Sequence, residues 1–415
     1  MIEKKDKKVL VKNFLSLGVV QGLNFLLPLL VIPYLLHVLG VEIFGLLAMA
    51  TAFIGYFMIV SDYGFNITAT REVSVHRDSI DKLNEIFSAV MLIKIFLMFT
   101  GFLVLLLVLF LFDSLGSEST IYLLTFGMVL GQVLFPIWFF QGMEKMGYIA
   151  ILNIVAKLIF LVAILIFVKE KEDAYLVPLF NSLGFIVVGI ISLIYVYKEF
   201  NIRFVWQPYK VLKEYLVLGW HIFLSRLAVI LYTSSNIFVL GVFTNHIVVG
   251  YFAIAYKIIS ALATLGDILN RVFFPYLSKK WEESKVSYYN LFSKISKNIF
   301  LAMLFMSVIV FWWSPEIITL LSGEEIKITT ELLQIMSLIL ILSPFGGLYS
   351  NSFVTQQHSV YVTKSTFWTL LVNLILVGIL VPIYGVYGLA VAMVIVQVFH
   401  FYLNNLYFNK LREMV

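Results

Sequence analysis

The feature that most constrains this chain is a succession of apolar runs, each close to twenty residues or longer, separated by short polar breaks. They fall at roughly 14–38, 44–66, 86–112, 120–142, 148–168, 174–197, 216–242, 250–274, 298–320, 331–353, 365–383 and 388–408. About 20 helical residues, at a rise of about 1.5 Å each, cross the roughly 30 Å hydrocarbon core of a bilayer. In hydrocarbon the backbone must find its partners inside the segment, so each run is predicted to be a transmembrane helix, twelve in all. Composition agrees. Of 415 residues, 61% are hydrophobic and 13% charged, and mean hydropathy is +0.98; a soluble domain is about a quarter charged. The expected class is an all-α integral membrane protein.

Basic residues set the orientation. With the N-terminus cytoplasmic, twenty-one of the 29 Lys and Arg fall in cytoplasmic segments, and the opposite side holds only Lys169, Lys171 and Lys327. Both termini are therefore expected in the cytoplasm. The opening MIEKKDKKVLVK resembles the start of a signal peptide, but the run at 14–38 is too long for its apolar region and is expected to be a retained first helix. The third span is expected to begin at Ile86, after the polar segment Asp81–Glu85. The chain also repeats itself: Gly18 and Gly40 match Gly219 and Gly241, and Gly45, Ala48 and Asp62 match Gly250, Ala253 and Asp267. Helices 1 and 2 thus map on helices 7 and 8, as in parallel repeats. Two domains are expected, an N-terminal six-helix lobe at 1–200 and a C-terminal one at 201–415, joined by the basic connector 198–213.

Ionisable residues inside spans mark pathways or paired contacts, because a charge facing lipid costs a few kcal/mol or more. In Gly250–Arg271, Lys257, Asp267 and Arg271 fall with Ser260 and Thr264 on one side of a helix. Asp267 and Arg271 are four apart and can pair. Lys257 is beyond their reach and lines a cavity or makes a buried contact. Arg226 in helix 7 lacks a carboxylate within one turn, and binds substrate, backbone carbonyls, Asp62 or Asp267. His221 nearby is either a packing residue or a proton carrier. Helix 1 offers Gln21 and Asn24 as polar contacts, and Pro28 and Pro33 predict a bend. Helix 2 ends with Asp62, Asn66 and Arg71 at the cytoplasmic mouth, where Asp62 can hold Arg71 or Arg226. Lys94 and Lys157 are expected to snorkel toward the cytoplasm.

Nothing catalytic emerges. There is no phosphate loop of the GxxxxGK[ST] kind, no HExxH and no nucleophile elbow. With no Cys, thiol chemistry, disulfides and thiolate metal sites are excluded. The net charge of +5 and pI near 9.0 come from the loop residues that set topology, so nucleic acid is not an expected partner. Neither an enzymatic activity nor a cofactor is expected.

Three segments carry a family resemblance: NFLSLGVVQGLNFLLPLLVIPYLLHVLGVEIFG in helix 1, SDYGFNITATREVS at the end of helix 2, and PIWFFQGMEKMGY at the end of helix 4. They resemble the Wzx-type polysaccharide (O-antigen) repeat-unit flippases of the multidrug/oligosaccharidyl-lipid/polysaccharide exporter superfamily. The resemblance implies two pseudo-symmetric six-helix lobes around a central cavity lined by helices 1, 2, 7 and 8. It implies an undecaprenyl-diphosphate-linked oligosaccharide moved from the cytoplasmic to the outer leaflet of the bacterial inner membrane by alternating access. On that reading Arg226, Lys257, Arg271, Gln21 and Asn24 bind substrate, while Asp62, Asp267, His221 and Arg71 serve coupling or gating, with H+ or Na+ as the candidate ion. A polysaccharide polymerase and a chain-length regulator are the candidate protein partners, and membrane lipid surrounds the chain. A multidrug exporter of the same superfamily is the alternative; the excess of Lys and Arg within the spans counts against it.

Overall fold

A computed structural model describes residues 4–233 and 235–413, with side-chain detail from residue 30 onward. Described residues form helices and short connections, with no strand among them. In chain order the helices are α1 (Lys4–Asp62), α2 (Phe65–Val75), α3 (Ile80–Leu111), α4 (Asp113–Gly116), α5 (Ser119–Leu134), α6 (Ile137–Gly142), α7 (Met146–Phe167) and α8 (Leu176–Glu199). They continue as α9 (Tyr209–Thr233), α10 (Ser235–Phe243), α11 (His246–Glu283), α12 (Lys285–Trp312), α13 (Ser314–Ser322), α14 (Lys327–Thr355) and α15 (Val360–Glu413). Among the described residues, 10 helical stretches are long and apolar enough to cross a membrane. Two helices, α1 and α15, depart from helical dihedrals at one glycine each, Gly40 (φ 81) and Gly385 (φ 56). Positive φ is open to glycine and costly for other residues. Each of these two helices thus has room for two crossings, in keeping with the twelve expected.

Boundaries moved where local chemistry overrode hydropathy. Helix α3 begins at Ile80, not Ile86, because Ser79 caps it by accepting from the Lys82 N–H, and Asp81 suits the positive end of the helix. Asp81–Glu85 are its first turns and not a loop. The expected fourth span is cut between α5 and α6. Pro136 has no N–H to give, and Phe135 before it is pushed to an extended conformation (φ −95, ψ 98). Lys294 and Lys297, expected in a loop, ride on α12, whose start is capped by the Ser284 side chain. In α1 the break falls at Gly40, beyond the two prolines expected to bend it.

Backbone contacts group residues 38–238 into one compact unit and 1–37 with 239–415 into another. The first unit runs past the expected boundary at 200 for a structural reason. Connector 201–208 is pinned along α3 by backbone donors, Arg203 N–H to Asn84 Oδ1 (2.7 Å) and Val205 N–H to Ser88 Oγ (2.9 Å). Its buried core is aromatic and aliphatic: Phe65, Ile86, Val90, Trp138, Phe139 and Phe140 are all fully enclosed. The second unit has its own aromatic core, with Phe292 stacked on Phe408 (ring centroids 4.3 Å apart) and Tyr288 hydrogen-bonded to Ser352 (2.7 Å).

Candidate functional site: charged groups on the membrane helices

The end of α1 shows what the DYGFN segment does. Helix α1 stops at Asp62, and Tyr63 (φ 49) and Gly64 (φ 82) turn the chain left-handed before α2 starts at Phe65. A Cβ on Gly64 would lie 2.7 Å from the Ile222 side chain and 3.2 Å from the Phe223 nitrogen, so α9 packs directly on this turn. Tyr63 stacks on Phe223 with centroids 4.9 Å apart. Asp62 is 2% exposed and accepts from Asn66 Nδ2 (2.6 Å); its carboxylate also meets the Gly64 N–H.

Two of the three segments that carried the resemblance, those ending helices 2 and 4, pack on each other. Thr70 Oγ1 lies 3.1 Å from the Trp138 carbonyl and 3.3 Å from Gln141 Oε1. Arg77 Nε donates to the Gly142 carbonyl (2.6 Å), and its Nη2 pairs with Glu144 at 2.9 Å. A Cβ on Gly142 would sit 2.5 Å from Val73 Cγ1, so glycine is what lets α6 approach α2. Sequence reading found both segments and missed that they form one structure, because contacts across 70 residues leave no mark in local spacing.

Lys94 corrects an expectation. It does not snorkel: it is 1% exposed in the middle of α3, with Nζ 3.4 Å from the Gln132 carbonyl, and Asp62 is its electrostatic counterpart. A signal was present. At about 100° per residue Lys94 shares a face with Leu83, Phe87 and Val90, all buried. Arg226, in contrast, is exposed on α9 and within electrostatic reach of Asp62. His221, one turn before Ser225, is exposed on the same helix. Arg71 pairs with Glu72 (3.1 Å), so Asp62 is not its partner as the sequence allowed.

The residues of the expected polar wall lie on one continuous helix, α11. Lys257, Asp267 and Arg271 are exposed, and Ser260 and Thr264 between them return hydrogen bonds to carbonyls one turn back. Another face of the helix does the packing: Asn270 Nδ2 donates to the Pro344 carbonyl (2.8 Å), and Gly266 lies against the Pro344 ring. Asp267 and Arg271 stay within electrostatic reach of each other without closing to an ion pair. Lys257 is accessible although protein crowds around its ammonium. The two aspartates matched in the sequence stand in unlike surroundings, Asp62 buried at a helix end and Asp267 exposed within a continuing helix. Gln21 and Asn24 lie outside the residues whose side chains are described.

With this geometry in hand, whole-chain comparison defines the class. A multidrug resistance MATE family transporter of the MOP superfamily, solved in its inward-facing conformation, superposes with a TM-score of 0.72 at 14% identity, covering 92% of this chain and 95% of that one. The lipid II flippase MurJ, in an inward closed conformation, superposes with a TM-score of 0.76 at 13% identity, covering 96% and 87%. The fold is that of the MOP-superfamily transporters, all-α and multi-pass. The chain belongs to the polysaccharide biosynthesis protein family, whose model matches residues 10–281. A relative from Escherichia coli (strain K12), named "Putative O-antigen transporter", is 34% identical over 273 residues, 66% of each chain. This chain thus spans just under two thirds of that relative's length.

Proposed function

We propose that this protein flips lipid-linked oligosaccharide repeat units across the bacterial inner membrane, from the cytoplasmic to the outer leaflet, by alternating access. The substrate is an undecaprenyl-diphosphate-linked glycan, and both termini are cytoplasmic. Family membership and the O-antigen relative support the substrate class. The observation that carries the site is the sorting of membrane cations: Lys94 is sealed in protein, while Arg226, Lys257 and Arg271 stay accessible on apolar helices. A charge kept accessible in such a setting faces water or an anionic partner. A diphosphate headgroup cannot cross hydrocarbon unaided, and guanidinium and ammonium groups are its natural ligands. The polyprenyl tail stays in lipid while the headgroup passes. Gln21 and Asn24 add polar contacts to the sugar, and alternating access carries the headgroup across.

Asp62, Asp267, His221 and Arg71 are the groups for gating or for coupling to H+ or Na+. Transport that persists unchanged when both gradients are collapsed removes the coupling role. A polysaccharide polymerase and a chain-length regulator are the proposed downstream partners. In cells lacking the native gene, Arg226→Gln and Lys257→Gln are expected to insert normally and to lower surface polysaccharide at least tenfold. Normal surface polysaccharide in both variants overturns the cationic site. Restored drug resistance without any effect on polysaccharide would favour the multidrug reading instead.

A further inference from the structure

A ligand-sized cavity lies within the unit containing residues 239–415, and none of the cations assigned to the headgroup lines it. Between α11 and α12 is a cavity of 580 Å³, a size typical of small-ligand pockets. Its lining is graded. Toward the α11–α12 hairpin it presents Lys280, Asn290 and Lys294, and deeper in it presents Leu269, Phe273 and Ala302. From Lys280 to Leu269 is eleven residues, about 16 Å along the helix. That is close to half of the roughly 30 Å hydrocarbon core, the depth of one leaflet. No Asp or Glu lines the cavity.

We propose that this groove holds one anionic membrane phospholipid, with its phosphodiester at Lys294 and Asn290 and an acyl chain along Leu269, Phe273 and Ala302. Charge selects the occupant. Lys280 is already engaged with Glu283, and among the described residues no carboxylate pairs with Lys294. One uncompensated cation matches one phosphodiester charge. The lack of a lining carboxylate leaves nothing to receive the ammonium of a zwitterionic headgroup. Basic pockets between membrane helices recognise anionic headgroups on this principle. The proposal does not depend on which glycan the protein carries.

Lipid retained by the purified full chain, measured by native mass spectrometry with phosphatidylglycerol and phosphatidylethanolamine offered together, tests it. One phosphatidylglycerol per chain is expected. Lys294→Glu and Ala302→Trp should each cut retention at least fivefold, while Lys297→Glu, off the groove, should leave it unchanged. If thermal melts show Ala302→Trp unfolded, Lys294→Glu and Lys294→Gln decide alone. Equal retention in the Lys294 variants, or equal uptake of phosphatidylethanolamine, overturns the site. Displacement of the retained lipid by stoichiometric undecaprenyl phosphate overturns the assignment to a membrane phospholipid.

Discussion

Four charged residues on the apolar helices have different fates, and hydropathy alone does not separate them. Asp62 and Lys94 are both enclosed, at 2% and 1% exposure, whereas Arg226 and Lys257 are accessible. A buried charge is tolerated when an opposite charge and hydrogen bonds compensate it, and removing one side leaves the other stranded, at a cost of about 3–5 kcal/mol. Lys94→Met is therefore expected to lower the melting temperature of the detergent-solubilised protein, and Asp62→Asn added to it should recover part of the loss. Simple additivity in that double-mutant cycle would show that the two groups do not interact. Arg226→Gln should leave the melting temperature nearly unchanged, because an exposed side chain carries little of the packing.

At the scale of elements, α2 and α6 form a small clasp under the end of α1. Its closeness depends on Gly142, and its entry on the left-handed turn at Gly64. Gly142→Val inserts carbon where Val73 and the Thr70 carbonyl already stand, a form of overpacking that costs about 1–3 kcal/mol. A melting curve indistinguishable from the parent would refute the clasp. Gly64→Ala combines a positive φ with the Ile222 contact and is expected to cost about 1–3 kcal/mol. Helix ends were partly legible in sequence: Ser79, Ser284 and Pro136 each sit where a cap or a break belongs. The buried face of Lys94 was legible as well, through its register with Leu83, Phe87 and Val90. The meeting of Thr70 with Trp138 and Gln141 was not, because side-chain partners on separate helices follow from packing and not from spacing.

For the whole molecule, the distribution of basic residues makes a topological claim that this chain is well suited to test. It contains no Cys, so a single introduced thiol reports one position without background. Ser284→Cys, in the α11–α12 hairpin, is expected to react with a membrane-impermeant maleimide only after the cytoplasmic face is opened. Ser117→Cys, between α4 and α5, should react from the outside. Labelling of both from the same side would overturn the in/in arrangement and, with it, the direction of transport. The two compact units, 38–238 and 1–37 with 239–415, also depart from a simple cut near residue 200. The connector carries polar anchors to α3, and no composition shift announces them.

The sequence by itself determined that this chain lives in a bilayer, roughly where its helices run, and which polar residues they carry. Those outcomes follow from hydrocarbon length, backbone self-satisfaction and the cost of moving Lys and Arg across a membrane, all of which act residue by residue. Only the tertiary structure decided which of those charges are sealed and which stay accessible. Enclosure depends on what the neighbouring helix brings: Lys94 is sealed along its whole length, while Lys257 keeps part of its side chain accessible.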